Sequence, residues 1–288
     1  MISRFVAALL LLTVAACASE PPAPKLASQP TVDETKVASI VAVAEATRAE
    51  GRFAEALQIY QEILVSDPKS VAAQYGVAEC FLGLGKAGDA QPMFEALTHN
   101  ADFHALALQG AGLSLLVLNR REAAAKQLRE ATEADPKLWR ALNGLGLLGD
   151  LKQQPAEAAD FYRKALSLNP ESAVIFNNLG YSRLLAGKPD EAMGHLKKAL
   201  GLDPGSETIQ NNLRLAMAAK GNYAEATRSV SKEQMATVLN NVGYVAMQKG
   251  DIAAAEGYLA RAMESSPSFN TVASKNLEQL KAMKAGSP

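Results

Sequence analysis

From Val37 onward, small and apolar residues recur with a period of 34. The clearest register is a proline behind an acidic or amide residue: Asp67-Pro68, Asp135-Pro136, Asn169-Pro170 and Asp203-Pro204, with Asp102 in the slot skipped between the first two. If this proline is residue 32 of a unit, units begin at Val37, Val71, Ala105, Trp139, Ala173 and Glu207. A seventh begins at Ala236, after only 29 residues, and ends near Ser266-Pro267. Position 20 is alanine in all seven: Ala56, Ala90, Ala124, Ala158, Ala192, Ala226 and Ala255. Position 8 is also small, with Ala44, Ala78, Gly112, Gly146, Gly180 and Gly243, and only Arg214 departs. Large apolar residues fall between, with Leu145, Leu179 and Leu213 at position 7 and Phe94, Tyr162 and Leu196 at position 24.

Two positions that refuse bulk, one in each half of a unit, predict a pair of helices whose backbones approach closely. Glycine at position 15 (Gly51, Gly85, Gly187, Gly221 and Gly250) predicts the turn between them, where a left-handed residue ends the first helix. Proline ends the second helix, because it lacks an amide proton and drives the preceding residue out of helical geometry. In the sixth unit the second helix, near Asn222 to Val230, is expected to be cut short before Ser231-Lys232-Glu233-Gln234. The stretch Ala173 to Ser206, AVIFNNLGYSRLLAGKPDEAMGHLKKALGLDPGS, resembles the tetratricopeptide repeat at its small, glycine, alanine and proline anchors. That resemblance implies an all-α superhelical solenoid of about seven hairpins over residues 37–269. Residues 270–288 then form a capping helix and tail, in which Leu277 and Leu280 face inward.

The amino terminus reads as an address. Residues 1–16 hold one positive charge, Arg4, and an apolar run from Phe5 to Leu12. Such a run rises only about 12 Å as a helix, less than half a bilayer core, and therefore reads as a signal peptide and not a membrane span. Val14-Ala15-Ala16-Cys17 resembles the lipobox of bacterial lipoproteins, which implies acylation of Cys17 and cleavage before it. Ala18, where such lipoproteins carry Asp when retained in the inner membrane, favours the periplasmic face of the outer membrane. Residues 17–36, with Pro21, Pro22, Pro24 and Pro30, lack an apolar period and are expected to be a tether.

Composition narrows the function. With 29 Lys+Arg against 30 Asp+Glu the net charge is -1, and nothing supplies the attraction to phosphate that nucleic-acid binding requires. Hydrophobic residues are 48% and aromatics only 6%, which suits close-packed helices. Gly83 to Gly88 and Gly144 to Gly149 both match GxGxxG, but one spans a predicted turn and the other lies inside a predicted helix, so neither is a dinucleotide loop. Ser66-Asp67-Pro68-Lys69 matches SxxK at an inter-repeat corner, where nothing would exclude water. His99, His104 and His195 are too scattered for a metal site, and Cys80 reads as a packed core residue. The expectation is no enzyme, no metal and no cofactor.

The remaining signal is a surface. In this architecture the first helices line the inside, with positions 2, 5, 9, 12 and 13 pointing inward. Position 5 is Asn143, Asn177, Asn211 and Asn240 in four consecutive units, a ladder able to bond an extended peptide backbone, and Tyr181 and Tyr244 flank it. The alternative is that these residues are solvated neighbours of the helix-packing Asn178, Asn212 and Asn241. The Asn211-Asn212-Leu213 and Asn240-Asn241-Val242-Gly243-Tyr244 segments, the shortened sixth unit and Asn276-Leu277-Glu278 resemble TadD-type lipoproteins of the tight adherence (Flp pilus) system. That resemblance implies a lipid-anchored, pilotin-like assembly factor that binds an extended segment of an outer-membrane secretin. A periplasmic scaffold for other envelope proteins, such as peptidoglycan enzymes, is the alternative.

Overall fold

The structure is a computed structural model that describes residues 34–265 and 270–285. The signal segment, Cys17 and nearly all of the tether lie outside the described residues, as do Ser266 and Pro267 at the end of the seventh unit. The described residues form fifteen helices. Seven hairpins follow one another: α1 (Glu34–Ala49) with α2 (Phe53–Ser66), α3 (Val71–Gly83) with α4 (Ala87–Leu97), α5 (His104–Val117) with α6 (Arg121–Ala134), α7 (Trp139–Leu151) with α8 (Pro155–Leu168), α9 (Ala173–Leu185) with α10 (Pro189–Leu202), α11 (Glu207–Lys220) with α12 (Tyr223–Ala226), and α13 (Lys232–Gln248) with α14 (Ile252–Ser265). A last helix, α15 (Asn270–Ala285), packs on α14 and α13. No described helix is long and apolar enough to cross a membrane.

The periodic residues do what their size dictates. All seven position-20 alanines are fully buried, and Phe94, Tyr162 and Leu196 at position 24 are 0% exposed. The five turn glycines have φ between 71° and 98°, and the two units without glycine there place Asn119 (φ 58°) and Gln153 (φ 59°) in the same left-handed conformation. The Asp-Pro corners close the other end. Asp67 and Asp135 end α2 and α6 outside helical geometry and accept from the amides of Lys69 and Lys137 through their side chains. Ser70, Ser172 and Ser206 then cap α3, α9 and α11 by accepting from the amides of Ala73, Ile175 and Ile209.

Each hairpin buries its apolar stripe against the next one. Leu108, Leu115, Leu128 and Leu138 of the third repeat form one cluster with Leu145 and Leu148 of the fourth, and similar clusters follow along the chain. The core is therefore a line of inter-repeat clusters, as a solenoid requires. Several glycines of the GxGxxG matches are packing positions: a Cβ on Gly83 would strike Phe53 and one on Gly149 would lie 3.1 Å from the Ala158 backbone, whereas Gly85 and Gly88 face open space. Cys80 is fully buried and unpaired, and burial pushes its thiol up to about 11.

The sixth repeat is the irregular one, as its sequence indicates. Its second helix is reduced to the four residues of α12, after which Ser229 turns at φ 53°. Arg214, the departure at position 8, occupies the space of the missing helix. Its guanidinium donates to the carbonyls of Ala226 and Arg228 at 2.9 Å and reaches Ser229 at 3.5 Å. The helix that follows, α13, is 17 residues long and packs directly on α11.

Candidate functional site

The inner face is built from first helices, and its two halves differ. In repeats one to three polar side chains of the chain itself occupy part of it, while Val117 at position 13 of repeat three stays 62% exposed. Glu79 on α3 is 3% exposed, accepts from the Tyr75 hydroxyl at 3.0 Å and pairs with Arg48 on α1 (3.4 Å) and Arg140 on α7 (2.7 Å). This clasp ties repeats one, two and four together across residues 31 and 61 apart in sequence. Beside it Gln109 is 3% exposed and accepts from the backbone amide of Ala141.

From the fourth repeat on, the face opens. Three successive first helices, α7, α9 and α11, line a concavity of about 470 Å3. Its walls are Leu147, Leu151, Tyr181, Leu185 and Leu215, and its polar groups are Asp150, Asn177, Asn178 and Asn212. Leu151, Tyr181 and Leu185 are 47%, 40% and 55% exposed, a run of apolar surface that the chain leaves uncovered. A mostly apolar hollow with a few converging polar groups is the usual form of a binding site.

The asparagines sit in and behind this surface. Asn178 donates to the side-chain oxygen of Asn143 (3.0 Å), Asn212 to that of Asn177 (2.8 Å) and Asn276 to that of Asn240 (2.8 Å). In the first two pairs position 5 of one repeat accepts from position 6 of the next, and in the third Asn240 accepts from the capping helix, so these amides form seams between neighbouring units. Asn143 and Asn240 are only 8% and 6% exposed, so the structure places these two in the seam and not on the open surface. Asn177 and Tyr181 both line the concavity. Asn211 is partly buried beside Arg214 and Asn241, and Tyr244, 43% exposed, lies one repeat beyond. Cys17 lies outside the described residues.

Asp150 was missed by reasoning from position 5. Its carboxylate accepts from the Ser182 hydroxyl (2.6 Å) and the Tyr162 hydroxyl (2.9 Å), both on fully buried residues. Burial raises this carboxyl above its ordinary value, against the lowering effect of those bonds and of Arg183. A signal was present at position 12, where Leu116 and Leu184 flank it one repeat to either side, so a carboxylate interrupts an apolar column. Elsewhere the histidines stay apart. His104 bonds the Thr98 carbonyl, while His195 stacks on Phe176, and burial holds its imidazole below its usual range. Among the described residues no three His, Cys, Asp or Glu side chains converge as a metal site would require.

Family models of the tetratricopeptide repeat match residues 48–111, 110–173, 161–193 and 236–269. The gap between the last two matches contains the sixth repeat. No curated protein matches the chain by sequence. Among solved structures, a thermophilic TPR protein of Thermus thermophilus shares 21% identity over 66% of this chain and 98% of its own, with a TM-score of 0.53. Cut9, in a hetero-tetramer with Hcn1 of the APC/C, shares 16% identity over 90% of this chain and 56% of its own, with a TM-score of 0.58. The pilF protein of Pseudomonas aeruginosa shares 17% identity over 87% of this chain and 98% of its own, with a TM-score of 0.50. These likenesses establish the fold. With its repeats matched from residue 48 to 193 and again from 236 to 269, the chain belongs to the tetratricopeptide-repeat proteins.

Proposed function

We propose that this protein is a lipid-anchored assembly factor at the periplasmic face of the outer membrane, which holds an extended segment of a partner protein in the concavity of repeats four to six. The partner proposed is the secretin of a Flp (tight adherence) pilus system, for which the protein acts in the manner of a pilotin. One observation carries the binding function. The chain closes its early inner face with the Glu79 clasp, and leaves Leu151, Tyr181 and Leu185 exposed over a hollow lined by the first helices of repeats four to six. An extended segment laid there covers the exposed leucines and Tyr181, and its backbone meets the amides of Asn177 and Asn212. The anchor rests on the Val14-Ala15-Ala16-Cys17 motif, and the pilus assignment rests on the sequence resemblance to TadD-type lipoproteins.

The test uses the lipidated protein as bait on detergent-solubilised envelope, with Leu185→Asp as the control surface. Recovery of the secretin by the wild type and its loss with Leu185→Asp is the expected outcome. A secretin retained equally by both, or by neither, contradicts the proposal. The scaffold reading has its own support in a second hollow of about 400 Å3 between α10, α11 and α12, lined in part by Leu200, Leu213 and Met217. It predicts recovery of cell-wall enzymes in place of the secretin, with Met217→Asp, and not Leu185→Asp, releasing them.

A further inference from the structure

The inner face carries two carboxylates, the buried Glu79 and the partly buried Asp150, and treats them differently. Glu79 receives two guanidinium groups from the chain itself. Asp150 receives two hydroxyls, and among the described residues no lysine or arginine nitrogen comes within 4 Å of it. The cation whose field it feels, Arg183, is instead 3.8 Å from Glu191. Hydroxyl donors orient a carboxylate but do not neutralise it, so Asp150 stands as a fixed negative charge in the wall of an otherwise uncharged hollow. A wholly apolar side chain lodged there would seal that charge away from water unpaired, the least favourable arrangement for a buried ion. An acidic one would add like-charge repulsion. A lysine or arginine suits both parts of the site, since its aliphatic stem lies along apolar walls while its head reaches a carboxylate.

We infer that the hollow of repeats four to six receives a basic side chain of the partner segment, with its stem against Leu151, Tyr181 and Leu185 and its charged head on Asp150. The inference rests on the groove reading given above and adds the chemistry of the occupant: an extended segment with one lysine or arginine flanked by apolar residues. It also assigns Asp150 the role of specificity determinant, with Ser182 and Tyr162 holding the carboxylate in place.

A pool of nine-residue peptides, randomised at every position and selected on the immobilised full-length protein, tests this. The expected result is enrichment of lysine or arginine at one position by about tenfold, the scale of a close charge pair, with apolar residues enriched on either side. Asp150→Asn, shown by its thermal melt to be folded, should abolish the basic preference and keep the apolar one. Asp160→Asn, on the outer helix α8, should leave both preferences intact and so excludes general attraction to negative charge. Apolar enrichment without a basic residue in the wild type, or a basic preference that survives in Asp150→Asn, overturns the inference and leaves the groove standing. Enrichment of no peptide at all contradicts the groove reading, and this inference with it.

Discussion

At Gly146 an added Cβ would lie 2.5 Å from the Tyr162 ring, whereas at Gly194, midway along α10, it would meet nothing within 4 Å. The two glycines are alike in type and opposite in role. Gly146→Ala is expected to destabilise the fold by about 1–3 kcal/mol through overpacking. Gly194→Ala should stabilise it by up to about 1 kcal/mol, since alanine is the better helix former at an open site. Equilibrium urea unfolding reads both, and changes of the same sign would contradict the packing described. Asp150 yields a prediction of the other kind. Its folded-state carboxyl titrates above its unfolded value, so the stability it contributes is present below about pH 4 and is lost as pH rises through the folded value. Asp150→Asn does not titrate there, and its stability relative to wild type should therefore increase between about pH 4 and pH 7. A flat or falling difference in thermal melts across that range would show that burial does not dominate at this site. Residue-scale packing was largely legible: positions 8, 20 and 24 follow from size alone. The fate of the position 5 asparagines was not, because an amide's partner lies in the next repeat, and sequence order does not say whether position 5 faces solvent or the seam.

At the scale of elements, the hairpins repeat faithfully until the sixth. The four residues of α12 cannot bury the face that a 14-residue second helix covers in the neighbouring repeats, and the carbonyls at its end have no following turn to bond. Arg214 answers the second deficit, and the direct packing of α13 on α11 answers the first. The shortened spacing to the seventh unit and the arginine at a position otherwise reserved for alanine or glycine are thus one structural event. Both were visible in the sequence, but their connection was not, since it depends on a side chain crossing to a loop 12 to 15 residues later. Arg214→Ala should cost about 1–3 kcal/mol by removing the charged donor to the Ala226 and Arg228 carbonyls. Hydrogen exchange should show the loss of protection centred on residues 223–230, and protection lost evenly along the chain would contradict this role.

Across the whole molecule, the period foretold a line of hairpins but not the division of their inner face. Positions 2, 5, 9, 12 and 13 were expected to point inward in every repeat, and Arg140, Glu79 and Arg48 all belong to that set. Only the winding of the solenoid brings Arg140 to Glu79 across 61 residues, closing the face of the early repeats. At position 9 the change from Glu79 to Leu113, Leu147, Tyr181 and Leu215 marks where the ion-paired closure gives way to apolar side chains. The account depends on the concavity of repeats four to six being the surface a partner uses. Its most direct test is a photo-crosslinking amino acid placed at position 185, in the concavity, and at position 65, where Val65 is 85% exposed at the end of α2. With the full-length protein in intact cells, position 185 should yield a discrete adduct to one partner protein, and position 65 should not. The same adducts from both positions, or an adduct from position 65 alone, would contradict it.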